Sequence, residues 1–276
     1  KTMKFICGNY QLDLSRPRVM GIVNVTPDSF SDGGKYESTE KAIEHALQLV
    51  AEGADILDIG GESTRPGATP VSLEEELKRV VPVIEKLSKI TGVPISVDTY
   101  KPEVMRAAIA AGADIVNDVR ALQELGALEI VSKSKVGVCL MHMQGTPQTM
   151  QVNPKYDDVV AEVRAFLSGR LSAANKAGIA PDRIVLDPGF GFGKRTEHNI
   201  ALLQSLQSIA ELGRPLLVGL SRKSVLGQIV GGDEYVRLHA SIAASVISAM
   251  KGARIVRVHD VKATADALKV VAAVLS

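Results

Sequence analysis

Polar and charged residues follow nearly every short apolar run in this chain, and these are the residues best placed to do chemistry. They are Asn24, Glu62, Ser63, Thr64, Arg65, Asp98, Asn117, Asp118, His142, Asp187, Ser221, Arg222, Lys223, Arg257 and His259. One such residue is weak evidence, because a polar side chain at this point often caps the next helix. A series that recurs along the whole chain favours one shared site.

The members of the series that are cationic, or can become so, suit a polyanion such as pyrophosphate. These members are Arg65, Lys223, Arg257 and His259. The hydroxyl groups of Ser63 and Thr64, together with nearby backbone N–H groups, can complete an anion pocket.

Asp98, Asn117 and Asp187 suit a different ligand. A buried carboxylate accepts two parallel N–H bonds from a flat amidine-like ring, and an asparagine offers one donor and one acceptor to such a ring. The series therefore predicts a flat nitrogen heterocycle beside an anion pocket.

Several neighbouring features have plainer interpretations. The segment 189–194 (GFGFGK) fails the spacing of a phosphate-binding P-loop, so we expect a tight loop with Phe192 facing the site. We expect His142 to be a satisfied strand-end histidine, Asp118 to cap the fourth helix, and Arg222 to be structural.

Short β-branched runs alternate with longer helical patterns and define the elements that must position these residues. The predicted strands are 19–24, 55–60, 94–98, 115–118, 137–141, 184–187, 216–219 and 255–258. The predicted helices are 39–52, 72–90, 102–111, 122–134, 157–177, 197–210, 235–251 and 261–275. Eight such repeats predict a (β/α)₈ TIM barrel, one domain over 1–276, with polar strand ends meeting on one face. A doubly wound sheet is disfavoured because no glycine fingerprint follows the first strand. Residues 5–14 predict a short N-terminal hairpin on the barrel floor.

Composition narrows the class of protein. The net charge of +1, with no basic stripe interleaved with aromatics, argues against nucleic-acid binding. No apolar run reaches the roughly 18 residues of a membrane span. Cys7 and Cys139 lie far apart without metal-like spacing, which predicts two reduced thiols and a cytoplasmic protein.

Two segments carry a family resemblance. Residues 20–34 (MGIVNVTPDSFSDGG) and 58–67 (DIGGESTRPG) resemble the two signature segments of bacterial dihydropteroate synthases. Shorter matches are SVDT at 96–99, IVNDV at 115–119, LMHMQG at 140–145, DPGFGFGK at 187–194, GLSRKSVLG at 219–227 and RVHDV at 257–261. The resemblance implies condensation of p-aminobenzoate with 6-hydroxymethyl-7,8-dihydropterin pyrophosphate, giving 7,8-dihydropteroate and pyrophosphate in folate biosynthesis.

The resemblance also implies a role for each site residue. It implies that Asp98, Asn117, Asp187 and Lys223 bind the pterin. It implies that Thr64, Arg257 and His259 bind the pyrophosphate. Mg²⁺ falls to Asn24, with Asp32 as a weaker candidate and with phosphates and water as the other ligands. The p-aminobenzoate pocket, where sulfonamides bind in this family, falls to Phe30, Ser63, Arg65, Pro66, Phe192 and Ser221. Met141 and Gly219 complete the substrate-binding set, and we expect Asp98, Lys223, Arg257 and His259 to act in catalysis.

Three other functions stay open at this stage. A pterin-binding methyltransferase barrel shares the Asp-Asn-Asp site but lacks the anion groups. A Schiff-base aldolase would use Lys223 in an apolar pocket. A non-catalytic pterin-binding protein is expected to lack part of the anion site. The last two helices are apolar around much of their circumference, which, together with the family resemblance, predicts a homodimer.

Overall fold

The computed structural model describes residues 3–26, 35–232 and 237–276. A hairpin of β1 (Lys4–Cys7) and β2 (Tyr10–Asp13) precedes the barrel strands. These strands are β3 (Arg18–Asn24), β4 (Ile56–Gly60), β5 (Ile95–Asp98), β6 (Ile115–Asp118), β7 (Gly137–Met141), β8 (Ile184–Asp187), β9 (Leu216–Val218) and β10 (Ala253–Val258). The helices are α1 (Lys35–Glu52), α2 (Leu73–Ile90), α3 (Pro102–Ala111), α4 (Ala127–Ser132), α5 (Val159–Lys176), α6 (Thr196–Gln204), α7 (Leu206–Ala210), α8 (Ser224–Val230), α9 (Leu238–Met250) and α10 (Val261–Leu275).

The eight parallel strands close into a barrel in chain order, and β10 pairs with both β9 and β3. The strands are almost entirely buried, because the barrel interior covers one face and the helices cover the other. The predicted TIM barrel is therefore confirmed. Among the described residues, no helix combines the length and apolarity needed to cross a bilayer.

The hairpin covers the N-terminal end of the barrel, as predicted. Phe5 and Cys7 are fully buried in a cluster with inward-facing residues of seven barrel strands. The start of β7 must be a glycine, because a Cβ at Gly137 would lie 2.5 Å from the Phe5 ring. With this end closed, the open face for a ligand is at the C-terminal ends of the strands.

The fourth helix starts later than predicted, at Ala127 instead of residue 122. Ala121 and Leu122 have φ values of 53° and 59°, which a helix cannot accommodate. Asp118 accepts a hydrogen bond from the backbone N–H of Leu122 at 2.8 Å, and Arg170 donates to the carbonyls of both strained residues. The expectation that Asp118 caps the helix is wrong, because its carboxylate caps this turn instead.

Several other helix limits differ from the sequence pattern, and α1 begins at Lys35 instead of residue 39. The predicted helix 197–210 is divided into α6 and α7 at Ser205, whose φ and ψ of −108° and 25° are not helical. The helix α8 was not predicted, because it is a short segment directly after a strand-end loop. The helix α9 begins at Leu238, and residues 233–236, which include the predicted start of that helix, lie outside the described part of the chain.

Candidate active site

The predicted site residues converge on the open face of the barrel. Asp98 ends β5, Asn117 is the third residue of β6, Asp187 ends β8, and Arg257 is the penultimate residue of β10. Parallel strands bring their carboxyl ends to one rim, so these residues meet although they are far apart in sequence.

A fully buried carboxylate, Asp58, joins three of the predicted residues. Its Oδ2 accepts a hydrogen bond from Asn117 Nδ2 at 3.0 Å and another from Arg257 Nε at 2.7 Å. Arg257 also donates from Nη2 to Asp98 Oδ2 at 3.2 Å. Asn117, Asp98 and Arg257 therefore form one network, whose centre lies inside β4.

Asp58 is not among the site residues predicted from the sequence. Its signal was available, because Asp58 is the single charged residue in the otherwise apolar strand ILDIG. A carboxylate at the centre of a two-sided buried strand needs a donor partner, and a strand-end survey overlooks an interior position.

The charged groups of this network change one another's pKa values. Removal from water raises the pKa of Asp98, and the Asp58 carboxylate raises it further. The same removal from water opposes the charge of Arg257, but Asp58 and Asp98 outweigh it and raise the pKa of the guanidinium. Arg257 is therefore a fixed cation between two carboxylates, which leaves further N–H groups of its five for a ligand.

Lys223 and Asp187 form the other side of the site. The Nζ of Lys223 donates to the carbonyl oxygen of Phe190 at 2.6 Å and lies 4.8 Å from the centre of the Phe192 ring. Burial lowers the pKa of Lys223 to about 8, against the attraction of Asp187. Burial raises the pKa of Asp187, and the charge of Lys223 opposes that rise.

The loop after β8 is built around Lys194. Its Nζ contacts the carbonyl oxygens of Gly189 (2.7 Å) and Phe192 (2.9 Å) and His142 Nδ1 (3.0 Å). Gly189 has a φ of 74°, and a Cβ there would lie 1.8 Å from the carbonyl oxygen of His142. The tight-loop interpretation of 189–194 and the satisfied His142 are both confirmed.

His259 and Ser221 stand together at the ends of β10 and β9. Ser221 Oγ lies 2.9 Å from His259 Nδ1 and accepts from the His259 backbone N–H at 3.1 Å. Burial, and then the charge of Arg257, lower the pKa of His259 to about 3, so the ring is neutral near pH 7. The predicted structural role of Arg222 is confirmed by its ion pair with Asp260 at 2.9 Å.

This geometry can be compared with known proteins. The family model described as "Pterin binding enzyme" matches residues 20–259. The dihydropteroate synthase of Escherichia coli K12 is 54% identical over 274 residues, which are 99% of this chain and 97% of that protein. The chain belongs to the dihydropteroate synthase family.

Solved structures agree with this assignment. The Xanthomonas albilineans dihydropteroate synthase with 4-aminobenzoic acid has a TM-score of 0.95 and 55% identity, covering 100% of this chain and 99% of that one. A structure of the same synthase in complex with 7,8-dihydropteroate has a TM-score of 0.91 and 53% identity, covering 99% of each chain.

The remaining members of the predicted site lie on the same face. A Cβ on Gly219 would lie 3.6 Å from Lys223 Nζ and 3.7 Å from Arg257 Cβ, so this position borders both cations. Met141 is buried at the end of β7. Residues 63–66 belong to the loop after β4, where Thr64 is half-buried and Ser63, Arg65 and Pro66 are exposed. The charge of Arg65 reaches the site, because it contributes to the low pKa of His259. The substrate roles of these four residues stay predictions.

Of the two residues predicted to bind Mg²⁺, Asn24 lies within the described part of the chain. This residue ends β3 and is half-buried beside Gly60 of β4. Within the described ranges, no group of three or more His, Cys, Asp or Glu side chains could hold a metal ion. Asp32 and Phe30 lie outside the described residues. A single amide oxygen fits Mg²⁺ only if a phosphate ligand and water supply the rest of its coordination shell.

Proposed function

We propose that this chain joins p-aminobenzoate to 6-hydroxymethyl-7,8-dihydropterin pyrophosphate, giving 7,8-dihydropteroate and pyrophosphate for folate biosynthesis. The observation that carries the proposal is the buried Asp58–Asn117–Arg257–Asp98 network at the barrel rim. It places carboxylate acceptors and an amide for a flat ring beside the guanidinium cation of Arg257 for the leaving group.

The pterin falls to Asp98, Asn117, Asp187 and Lys223. The Asn117 amide is held by Asp58 through Nδ2, which directs its orientation. Asp187 is fixed through Oδ1 by the N–H of Gly189 at 2.8 Å, which leaves Oδ2 and the second lone pair of Oδ1 for ring N–H donors. Side chains locked in this way select a ring without further loss of rotamer freedom.

The pyrophosphate binds to Arg257, His259 and Thr64. In the reaction, the methylene C–O bond breaks and its electron pair leaves with pyrophosphate. The arylamine nitrogen forms the new C–N bond and releases one proton to solvent. Because the conjugated ring can share positive charge, departure precedes attack, and the fixed charge of Arg257 stabilises the leaving anion.

Mg²⁺ is part of this proposal through Asn24, and when bound it would neutralise charge on the pyrophosphate. The half-buried Asn24 amide would orient the ion from the end of β3. Arg257 and the neutral His259 would then hold oxygens that the ion does not.

p-Aminobenzoate binds the exposed loop after β4 through Ser63, Arg65 and Pro66. It also contacts Phe192, whose ring lies beside Lys223. Ser221 and Phe30 are included in the same pocket as proposals. Sulfonamides resemble p-aminobenzoate, so we propose that they compete for this pocket.

The decisive experiment measures pyrophosphate release with each substrate alone and with both. The proposal requires release that depends on both substrates, together with dihydropteroate identified by chromatography. A protein that binds pterin but never releases pyrophosphate would be a pterin-binding protein without catalysis, and dependence on a methyl donor would indicate a methyltransferase.

We also propose that two copies pair through α9 and α10. Met250, Val270, Val274 and Leu275 are between 57% and 72% exposed and line one apolar depression between these helices. Exposed apolar surfaces of this kind mark association sites, and the pairing of one such surface with its own copy gives an isologous dimer. Light scattering at micromolar concentration tests this, and a monomer mass contradicts it.

The two buried free cysteines, Cys7 and Cys139, support placement in the reducing cytoplasm.

A further inference from the structure

A buried charge cluster stands at the base of the loop after β4, outside the site described above. Lys101, at the N-cap of α3, places Nζ 2.6 Å from Glu62 Oε2 and 2.5 Å from Glu76 Oε1. Glu62 and Glu76 are 8% and 1% exposed. Two carboxylates this deeply buried are costly unless a cation lies between them.

The cluster of Lys101, Glu62 and Glu76, called the clasp below, joins the two ends of the loop. Glu62 Oε2 accepts from the backbone N–H of Val71 at 3.1 Å, and Lys101 Nζ donates to the Val71 carbonyl at 2.9 Å. Tyr100 donates its hydroxyl proton to Glu62 Oε1 at 2.6 Å. Glu62 and Lys101 therefore hold Val71 through its backbone N–H and its carbonyl. These two bonds fasten the last residue of the segment 62–71 to the first.

Lys101 is fully satisfied in this arrangement. Its three N–H groups meet three acceptors, namely Glu62, Glu76 and the Val71 carbonyl. Although burial opposes its charge, the hydrogen bonds to both glutamates raise the pKa of Lys101. The ammonium group is thus a permanent cross-link at neutral pH.

The clasp supports the loop and also borders the pterin side of the site, because Thr99 donates its hydroxyl proton to Glu76 Oε2 at 2.5 Å and the Glu76 charge adds to the raised pKa of Asp98. Among the described residues, Asp98 has no hydrogen bond to the clasp and is held by Arg257, on the barrel interior. Between its ends, the segment carries the exposed residues Ser63, Arg65 and Pro66, and Gly67 donates its N–H to the Pro147 carbonyl at 3.1 Å. Release of the base would free the whole loop while leaving the strand ends in place.

We propose that Lys101, acting through Glu62 and Glu76, is a positioning residue that holds the segment 62–71 in the shape required to bind p-aminobenzoate. This inference rests on the proposed function, which assigns residues of this loop to the p-aminobenzoate pocket. Lys101 itself touches neither substrate. If the binding-competent loop falls below about a tenth of the population, the apparent affinity falls by about tenfold or more.

The test compares Lys101→Met with the conservative Lys101→Arg and with a milder variant, Tyr100→Phe, which removes one hydroxyl bond to Glu62. Lys89→Met is the matched control, since Lys89 forms an exposed ion pair with Glu85 at the far end of α2. KM is measured for each substrate, and hydrogen exchange is followed in a peptide spanning 61–72.

We expect Lys101→Met to raise the KM for p-aminobenzoate by about tenfold or more, with the pterin KM within about threefold. Exchange at Val71 should accelerate, Lys101→Arg should restore both readouts, and Tyr100→Phe should give a smaller shift in the same direction. Equal rises in both KM values, or unchanged exchange at Val71 in a folded Lys101→Met protein, would overturn the inference. Absence of pyrophosphate release by the unmodified protein would instead overturn the proposed function, while the exchange experiment would still judge the clasp.

Discussion

Replacing Asp187 with asparagine changes one atom at the barrel rim from an acceptor into a donor. The asparagine Oδ1 can still accept from the Gly189 N–H, at 2.8 Å in the aspartate protein, so the loop after β8 should keep its shape. The new amide group would then face the N–H groups of the pterin that we propose for this position. The same change removes the negative charge opposite Lys223.

The expected loss follows from this mispairing. A buried polar group left without a matching partner costs about 1–3 kcal/mol, and more where a charge was involved. Since 1.4 kcal/mol is a factor of ten, pterin binding should weaken by about tenfold to several-hundredfold. Pyrophosphate binding should change little, because Arg257, His259 and Thr64 are proposed to hold it.

Calorimetry with a pterin ligand and, separately, with pyrophosphate measures both effects. Asp114→Asn is the matched control, because Asp114 accepts one backbone N–H from Ile95 at 2.9 Å at the opposite end of the barrel. The control should bind both ligands normally. If Asp187→Asn bound pterin normally but lost pyrophosphate, the two halves of the site would be assigned the wrong way round.

Three further predictions concern metal, binding order and pH. Chelation with EDTA should abolish turnover while circular dichroism shows an intact fold, and equal activity with and without EDTA would remove Asn24 and Mg²⁺ from the mechanism. Calorimetry should detect p-aminobenzoate binding only with pyrophosphate or the pterin substrate present, and tight binding to the free protein would contradict this order. Burial, and then the charge of Lys194, lower the pKa of His142 to about 3. Between about pH 6.5, the pKa of an unfolded histidine, and about pH 3, the unfolded chain therefore binds one more proton than the folded protein. Stability from this residue is therefore lost as pH falls through this window. Denaturant unfolding of His142→Gln should show a shallower loss between about pH 6 and 4, and an unchanged slope would refute the assignment.

The pattern of short buried strands was sufficient to predict the barrel, because a parallel strand buried on both faces is predominantly apolar. The predicted strand limits lie within two residues of the observed ones. Helix starts were less predictable. The turn at Ala121 and Leu122 depends on the Asp118 carboxylate and on Arg170, which is 49 residues from Ala121 in sequence, and a local pattern does not contain that contact.

Sequence alone determined which residue types reach the open face, since strand ends share one rim in any such barrel. It identified Asp98, Asn117, Asp187, Lys223, Arg257 and His259 without revealing how they are connected. The connections depend on tertiary structure, because Arg257 and Asp58 are 199 residues apart and meet only when the barrel closes. The same holds for Lys101, which follows β5 but fastens a loop that follows β4. Burial gives these contacts their strength, since a carboxylate removed from water must find its partner within the fold.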